Sequence, residues 1–314
     1  MDTRIGRRGF LKTSAVLPAA GAAWLGGTGA SAQTPIPRVG GARLKLSLNA
    51  WSFDPPLKAY IEGQEGGMSL FDLLEFCAEQ GFDALDPTGY YFPGYPDPPE
   101  RAFVNEFKRR AFLLGIDISG TGIRNDFATA DRATRAEGVE RVTKWVESAA
   151  AMGAPVLRVF AGPRPEGYTW DQTAAWMADE LKRCVEQGER HGVLIGLQNH
   201  GGMLSNADEM LTLVEMVDSK WLGLIIDTGW LTGPDPYADI ERLIPHAVNW
   251  QVKEFLGGGK GPRTDLKRLA RLIRDSGYRG YVPLETLNSP GKADSHLRAP
   301  AFLEEWRQAL RETA

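Results

Sequence analysis

Eight times along this chain a short run rich in β-branched and apolar residues gives way to a longer amphipathic stretch, and no other feature restricts the fold so much. The strand-like runs fall at 44–51, 82–86, 116–121, 156–160, 193–199, 222–227, 248–253 and 281–285. Helix-like stretches lie between and after them, at 70–80, 101–114, 133–152, 170–191, 206–217, 237–244, 264–275 and 299–313. Gly81, Gly115, Gly153, Gly192 and Gly277 each stand where a helical stretch stops before the next strand, the place for a left-handed closing residue. Strand followed by helix with such short returns makes right-handed parallel units. Eight of them close on themselves, so the expected fold class is α/β, a (β/α)8 TIM barrel. The competing open, doubly wound sheet lacks its signature. No Gly-x-Gly-x-x-Gly follows an early strand, and Gly257-Gly258-Gly259 comes only after the seventh.

Residues 1–32 stand outside that pattern. Arg7 and Arg8 lead into Gly9-Phe10-Leu11-Lys12, an apolar Ala/Gly-rich stretch follows, and Ala30-Ser31-Ala32 offers the small residues a signal peptidase accepts. The arrangement resembles a twin-arginine export signal, which implies a periplasmic protein exported already folded. An uncleaved membrane anchor is the competing reading, and Pro18 with several glycines interrupts the apolar run it would need. The expected organisation is a signal at 1–32, a linker at 33–43 and one catalytic barrel at 44–314, close to the ~250 residues typical of the architecture. With 43% hydrophobic and 24% charged residues the composition is that of a globular protein. A net charge of -4, with no basic block beyond Lys108-Arg109-Arg110, argues against nucleic acid and for a small, weakly charged ligand. No membrane partner is expected once the signal is cleaved, and assembly into a homo-oligomer is left open. Cys77 and Cys184 fall in helical stretches and read as buried free thiols.

In such a barrel, chemistry sits where strands end. The first strand runs into Trp51, the second into Asp86, Tyr90 and Tyr91, the third into Arg124 and Asn125, and the fourth carries Arg158. The fifth ends at Gln198-Asn199-His200, the sixth at Asp227, the seventh at Gln251-Val252-Lys253-Glu254 and the eighth at Glu285. Gln198, Asp227, Gln251 and Glu285 thus close four successive strands with oxygen-bearing side chains, a set that a hard divalent cation accepts. Buried strand-end polar groups that merely satisfy one another are the competing explanation. Trp51, Phe53, Tyr90, Tyr91, Phe92, Trp230 and Trp250 crowd the same ends, where aromatic faces can stack on sugar rings or simply pack. The segment 90–99 reads as a long loop over the mouth.

Leu197-Gln198-Asn199-His200-Gly201-Gly202, Ile225-Ile226-Asp227-Thr228-Gly229, Asn249-Trp250-Gln251-Val252-Lys253-Glu254 and Pro283-Leu284-Glu285-Thr286 resemble the sugar phosphate isomerase/epimerase family, the xylose isomerase-like TIM barrels, in an exported form. The second and third strand ends, around Asp86-Pro87-Thr88-Gly89 and Gly122-Ile123-Arg124-Asn125, extend the likeness over the whole chain after residue 32. The resemblance implies a divalent metal, Mn2+ or Mg2+ foremost with other divalent ions possible, held by Glu, Asp, His and Glu on strands five to eight. Two of those residues would also move protons on either side of a carbon. By position Asp227 and Glu285 match. Gln198 stands where the first Glu is expected and Gln251 where the His is expected, leaving two formal charges for the metal and only one titratable proton carrier of the two.

What the resemblance then implies is one-base chemistry. Glu285 would transfer the proton while a metal, Lys253 or His200 stabilises the developing oxyanion. His200 shares the facing parity of Gln198, whereas His191, His246 and His296 fall at helix ends or in loops. Trp51, Asp86, Tyr91, Arg124, Asn125, Arg158 and Trp230 are the candidate substrate-binding residues. For Arg158 and Lys253 the alternative is a buried ion pair with Asp86 or Glu254. The expected function is a divalent-metal-assisted isomerase, epimerase or lyase acting on a sugar, keto-sugar or glycoside in the periplasm, a keto-glycoside lyase included. A sugar-binding barrel without turnover is the second reading. An apurinic-site endonuclease-like hydrolase is the third, and few histidines and an acidic charge oppose it.

Overall fold

The computed structural model describes residues 35–286 and 294–313, so the segment expected to be an export signal lies outside the described residues. Residues 31–314 form one compact unit, and the fold described is that of this unit. Nine strands run parallel: β1 (Arg43–Asn49), β2 (Ala84–Asp86), β3 (Asp117–Ile118), β4 (Thr121–Gly122), β5 (Val156–Phe160), β6 (Leu194–Gln198), β7 (Leu222–Asp227), β8 (Ala247–Lys253) and β9 (Arg279–Glu285). They pair in the order β3-β2-β1-β9-β8-β7-β6-β5-β4. The sheet therefore ends on β3 and β4, which the chain itself joins, and an isolated parallel bridge between Thr88 and Gly122 spans the seam. The result is a nearly closed α/β barrel of the TIM type.

The helices are α1 (Asp54–Ile61), α2 (Leu70–Gln80), α3 (Arg101–Leu114), α4 (Arg132–Met152), α5 (Trp170–His191), α6 (Ala207–Val217), α7 (Pro236–Leu243), α8 (Leu266–Asp275) and α9 (Ser295–Glu312). Gly81, Gly115, Gly153 and Gly192 close α2 to α5 in the left-handed region, and Ser69 with Asp72 forms a capping box on α2. Cys77 and Cys184 are free and buried.

Strand parity decides what lies where. In β8, Trp250 and Val252 are buried on one parity with the apolar cluster that also takes in Trp145, Phe107 and Trp306 of the helices. Asn249, Gln251 and Lys253 share the other parity and make their contacts inside the barrel, which is unusually polar. The Ser47 and Ser119 hydroxyls lie 2.8 Å apart there, and Asn249 Nδ2 donates to the Ser119 carbonyl at 3.2 Å.

That polarity explains one departure from expectation. The run 116–121 is not one strand: it breaks at Ser119-Gly120 because an interior amide takes the Ser119 carbonyl that a continuous ladder would use. Gly120 leaves room for it, since a Cβ there would lie 3.0 Å from Asn249 Nδ2. The first strand stops at Asn49, not Trp51, because the Asn49 side chain accepts from the Trp51 amide and caps a 3-10 turn, Ala50–Phe53. Helix α1 lies outside the periodic stretches of the sequence: Pro55 and Pro56 occupy its first turn, where a missing N–H costs nothing. Residues 35–42 are not a free tether, since Ile36 N donates to the Pro245 carbonyl at 2.9 Å and Arg38 to that of Ala247 at 2.7 Å.

Candidate active site

Register brings the site together. Lys253 and Glu285 are side-by-side partners of β8 and β9, Asp227 and Gln251 of β7 and β8, and Asn49 and Asp86 of β1 and β2. Each polar strand end therefore lies beside another across one strand spacing.

The centre is Lys253. Its ammonium hydrogen-bonds Glu285 Oε1 and lies 3.5 Å from Asp227 Oδ2, and the residue is 2% exposed. Burying an ammonium costs several kcal/mol. At an effective dielectric of 20 a carboxylate at such a distance returns about 5 kcal/mol, and it is the presence of two that keeps the ammonium protonated at this depth. Burial works to lower the Lys253 ammonium, yet the two carboxylates carry it above the ordinary Lys range. Burial also drives the Asp227 carboxyl up to about 7 against the pull of Lys253, with Glu285 adding to the rise.

Around this centre the amides act as donors. Gln198 Nε2 donates to Asp227 Oδ2 at 2.7 Å, and the Gly229 amide donates to Oδ1 at 2.9 Å. Gln251 is committed on both sides, accepting from Asn49 Nδ2 at 2.6 Å and donating to Asp86 Oδ2 at 3.0 Å. Asn199 clamps the Asp227 backbone with a pair of bonds, at 2.8 and 2.9 Å. The Gln198 carbonyl oxygen is buried with no protein partner and borders the pocket.

Above lies a cavity of about 380 Å3. Its floor carries Lys253, Glu285 and Gln198, and its walls Trp51, Arg124, Asn125, Arg158 and His200, all singled out in the sequence. The sequence reading left out a second wall, Phe160 to Pro163, and Gly201-Gly202 facing it. Tyr90 also borders the cavity and receives the Arg158 guanidinium on its hydroxyl at 2.6 Å. Arg124 stacks over the Tyr90 ring at 4.9 Å and Arg158 over Phe160 at 4.3 Å.

Some candidates serve the site from behind. Asp86 lies under the floor, bonded to Gln251, and burial pushes its carboxyl up to about 6, with Arg158 and Gln251 opposing. Tyr91 turns away, donating to Asp54 at 2.7 Å, and Trp230 backs the His200 ring at 4.7 Å. Asp227 and Gln251 sit below the pocket surface, and Asn125 spends its amide on the Phe160 backbone, at 2.6 and 2.8 Å. The expected partner Glu254 instead pairs with Arg298. His200 is solvent-exposed at the lip, so burial acts on only part of its ring, the side between Phe160 and Trp230. That burial, with Lys253 and Arg158 nearby, holds the imidazole below its ordinary range and leaves it neutral at neutral pH.

The four expected metal ligands do not present a divalent-cation donor set. Two are amides that aim N–H groups at carboxylates or are fully engaged, and an ammonium lies against both acids. Among the described residues no group of three or more His, Cys, Asp or Glu side chains is arranged to hold a metal ion. What the arrangement can do is hold one carboxylate and one fixed ammonium against a ligand.

A family profile described as a xylose isomerase-like TIM barrel matches residues 74–310. No curated protein matches the chain by sequence. Among solved structures the fold is similar to D-psicose 3-epimerase with D-tagatose from Clostridium cellulolyticum H10, at 18% identity and a TM-score of 0.69, covering 85% of this chain and 99% of that one. It is similar to an apo 3-keto-D-glucoside 4-epimerase from E. coli at 15% identity and 0.66, covering 85% and 100%. An IolI protein with a zinc atom aligns at 14% identity and 0.64, covering 86% and 97%.

Proposed function

The chain belongs to the xylose isomerase-like TIM-barrel family, and from that premise we propose that it is an isomerase- or epimerase-type enzyme that moves a proton beside a carbonyl group of a sugar or sugar derivative. The observation that carries this reading is the pairing of Lys253 with Glu285 on the pocket floor. An ammonium has three donors. Glu285 takes one and Asp227 lies along a second, which leaves one for a substrate oxygen.

In this reading Glu285 takes the proton from the carbon next to the carbonyl. The C–H electron pair becomes the new C=C bond, the carbonyl π pair moves onto oxygen, and the third Lys253 N–H meets that oxyanion. Returning the proton to the former carbonyl carbon, while the neighbouring hydroxyl gives its proton to the oxyanion and becomes the new carbonyl, gives isomerisation; returning it to the opposite face of the original carbon gives epimerisation; and loss of a β-substituent with the electron pair gives a lyase. Neutral His200 can donate to one hydroxyl or accept from another, and Trp51 and Tyr90 offer faces to the ring's C–H bonds. The names of the epimerase neighbours guide the choice of substrates to try, ketohexoses and 3-keto-glucosides. The second reading, sugar binding without turnover, is favoured by Gln198, which leaves the floor a single carboxylate base.

Incubation with those sugars in D2O separates the two. Wild type should introduce deuterium at the carbon next to the carbonyl, and Glu285→Gln should slow exchange by about 10^2–10^4-fold. Saturable sugar binding with no exchange in wild type selects the second reading. Export belongs to the same proposal: with Arg7-Arg8 replaced by Lys-Lys, the precursor should accumulate in the cytoplasm of an expressing bacterium, and unchanged periplasmic delivery would refute the twin-arginine route.

A further inference from the structure

We infer that the Lys253 ammonium is a built-in cation standing where a divalent metal would sit between the Asp227 and Glu285 carboxylates, so that the centre needs no metal ion. Three features carry this. First, a single nitrogen reaches both acids, bonding Glu285 and lying 3.5 Å from Asp227. Second, the remaining groups around those acids are N–H donors: Gln198 and the Gly229 amide both give hydrogen bonds to Asp227. A metal ligand shell must instead offer lone pairs, and both Asp227 oxygens already accept N–H groups. Third, the backbone is shaped for the lysine stem. A Cβ on Gly229 would lie 2.6 Å from Lys253 Cδ, so only glycine lets the side chain pass to the two acids.

Charge points the same way. The ammonium already occupies the space between the two acids, and a dication entering it would be repelled by that charge. An ammonium also offers what proton-transfer chemistry on a carbonyl carbon needs, a fixed positive charge with directed N–H groups, at the depth where Glu285 operates.

The inference concerns the proposed catalytic site but is read without substrate, so it can fail while deuterium exchange succeeds, or hold while exchange fails. The full chain, stripped with EDTA, is titrated with Mn2+ and with Zn2+ by calorimetry and by thermal melting. Wild type should show no saturable heat and no shift. Lys253→Met leaves the two acids facing each other without a cation and should gain single-site Mn2+ binding. With the ion at about 100 times its dissociation constant its melting temperature should rise roughly 5–10 °C, and adding Asp227→Asn should abolish the rise. Single-site binding by wild type that disappears in Asp227→Asn overturns the inference. So does a folded Lys253→Met protein that takes up neither ion. Should Lys253→Met not fold, the wild-type titration with Asp227→Asn as its control decides.

Discussion

Asp86 sits beneath the pocket floor with 5% of its surface exposed, and its contacts to Gln251 and the more distant Arg158 do not make up for the water it has lost. Its carboxyl is held at about 6, against ~3.9 in an unfolded chain. Between those values the native state keeps a proton that the unfolded state releases, so unfolding free energy falls as pH rises through this window. Below about pH 4 both states are protonated and nothing is lost. Above about pH 6 the native state bears the full cost, which two pK units put at roughly 3 kcal/mol. Asp86→Asn keeps an oxygen for the Gln251 amide and carries no charge. It should melt close to wild type near pH 4 and several degrees above it at pH 7.5, as followed by circular dichroism. A variant that melts below wild type at both pH values would show that Asp86 stabilises the fold as a carboxylate.

Loops rather than strands make the far wall of the pocket, and one glycine sets their spacing. Gly202, after β6, has φ +64°, and a Cβ there would stand 2.4 Å from the Gly162 carbonyl oxygen and 2.9 Å from Pro163 Cα in the loop after β5. Met203 N donates to that same carbonyl at 3.2 Å. Gly202→Ala must therefore push the β5 loop away and strain its own backbone, at a cost of about 1–3 kcal/mol. The expected outcome is a lower melting temperature together with a raised KM for the turned-over sugar, because Gly162 and Pro163 line the cavity. Unchanged melting and unchanged KM would mean that the wall is not held by this contact. This contact also marks where the sequence stopped being readable. Strand positions were legible because apolar runs recur between helix stops, and the polar strand ends because parity fixes which residues face inward. The pairing of Lys253 with Glu285 instead of Glu254 depends on the register of β8 against β9, which no local pattern carries. No local pattern marks the Phe160 to Pro163 wall as part of a site, although Gly162 and Gly202 at successive strand ends are a signal of close backbone approach. The broken third strand follows from Asn249, a residue about 130 positions away in the chain.

At the scale of the whole molecule the question is where the folded unit begins. The sequence suggests a signal at 1–32 followed by a linker to 43, which would make both segments dispensable. Residues 35–42 have no regular structure, yet they are fastened to the barrel. Arg38 donates to the Ala247 carbonyl, where β8 begins, and its guanidinium lies 4.8 Å over the ring of Tyr278, itself fully buried. Burial lowers the Arg38 guanidinium from its ordinary range, with Tyr278 opposing, so the group has given up water for these contacts. A charged hydrogen bond of this kind contributes about 1.5–3 kcal/mol, to which the stacking and the Ile36 bond to Pro245 add. A chain starting at Gln33 should thus melt with the full-length protein and exchange deuterium at the same rate. A chain starting at Arg43 should melt lower by roughly 4–10 °C, taking a few degrees per kcal/mol for a domain of this size. Arg38→Ala in the longer chain should reproduce part of that loss, since it removes the bond to β8 and leaves Ile36 in place. If the two truncated chains melt together, residues 33–42 are a tether, and the barrel's stability is complete from its first strand onward.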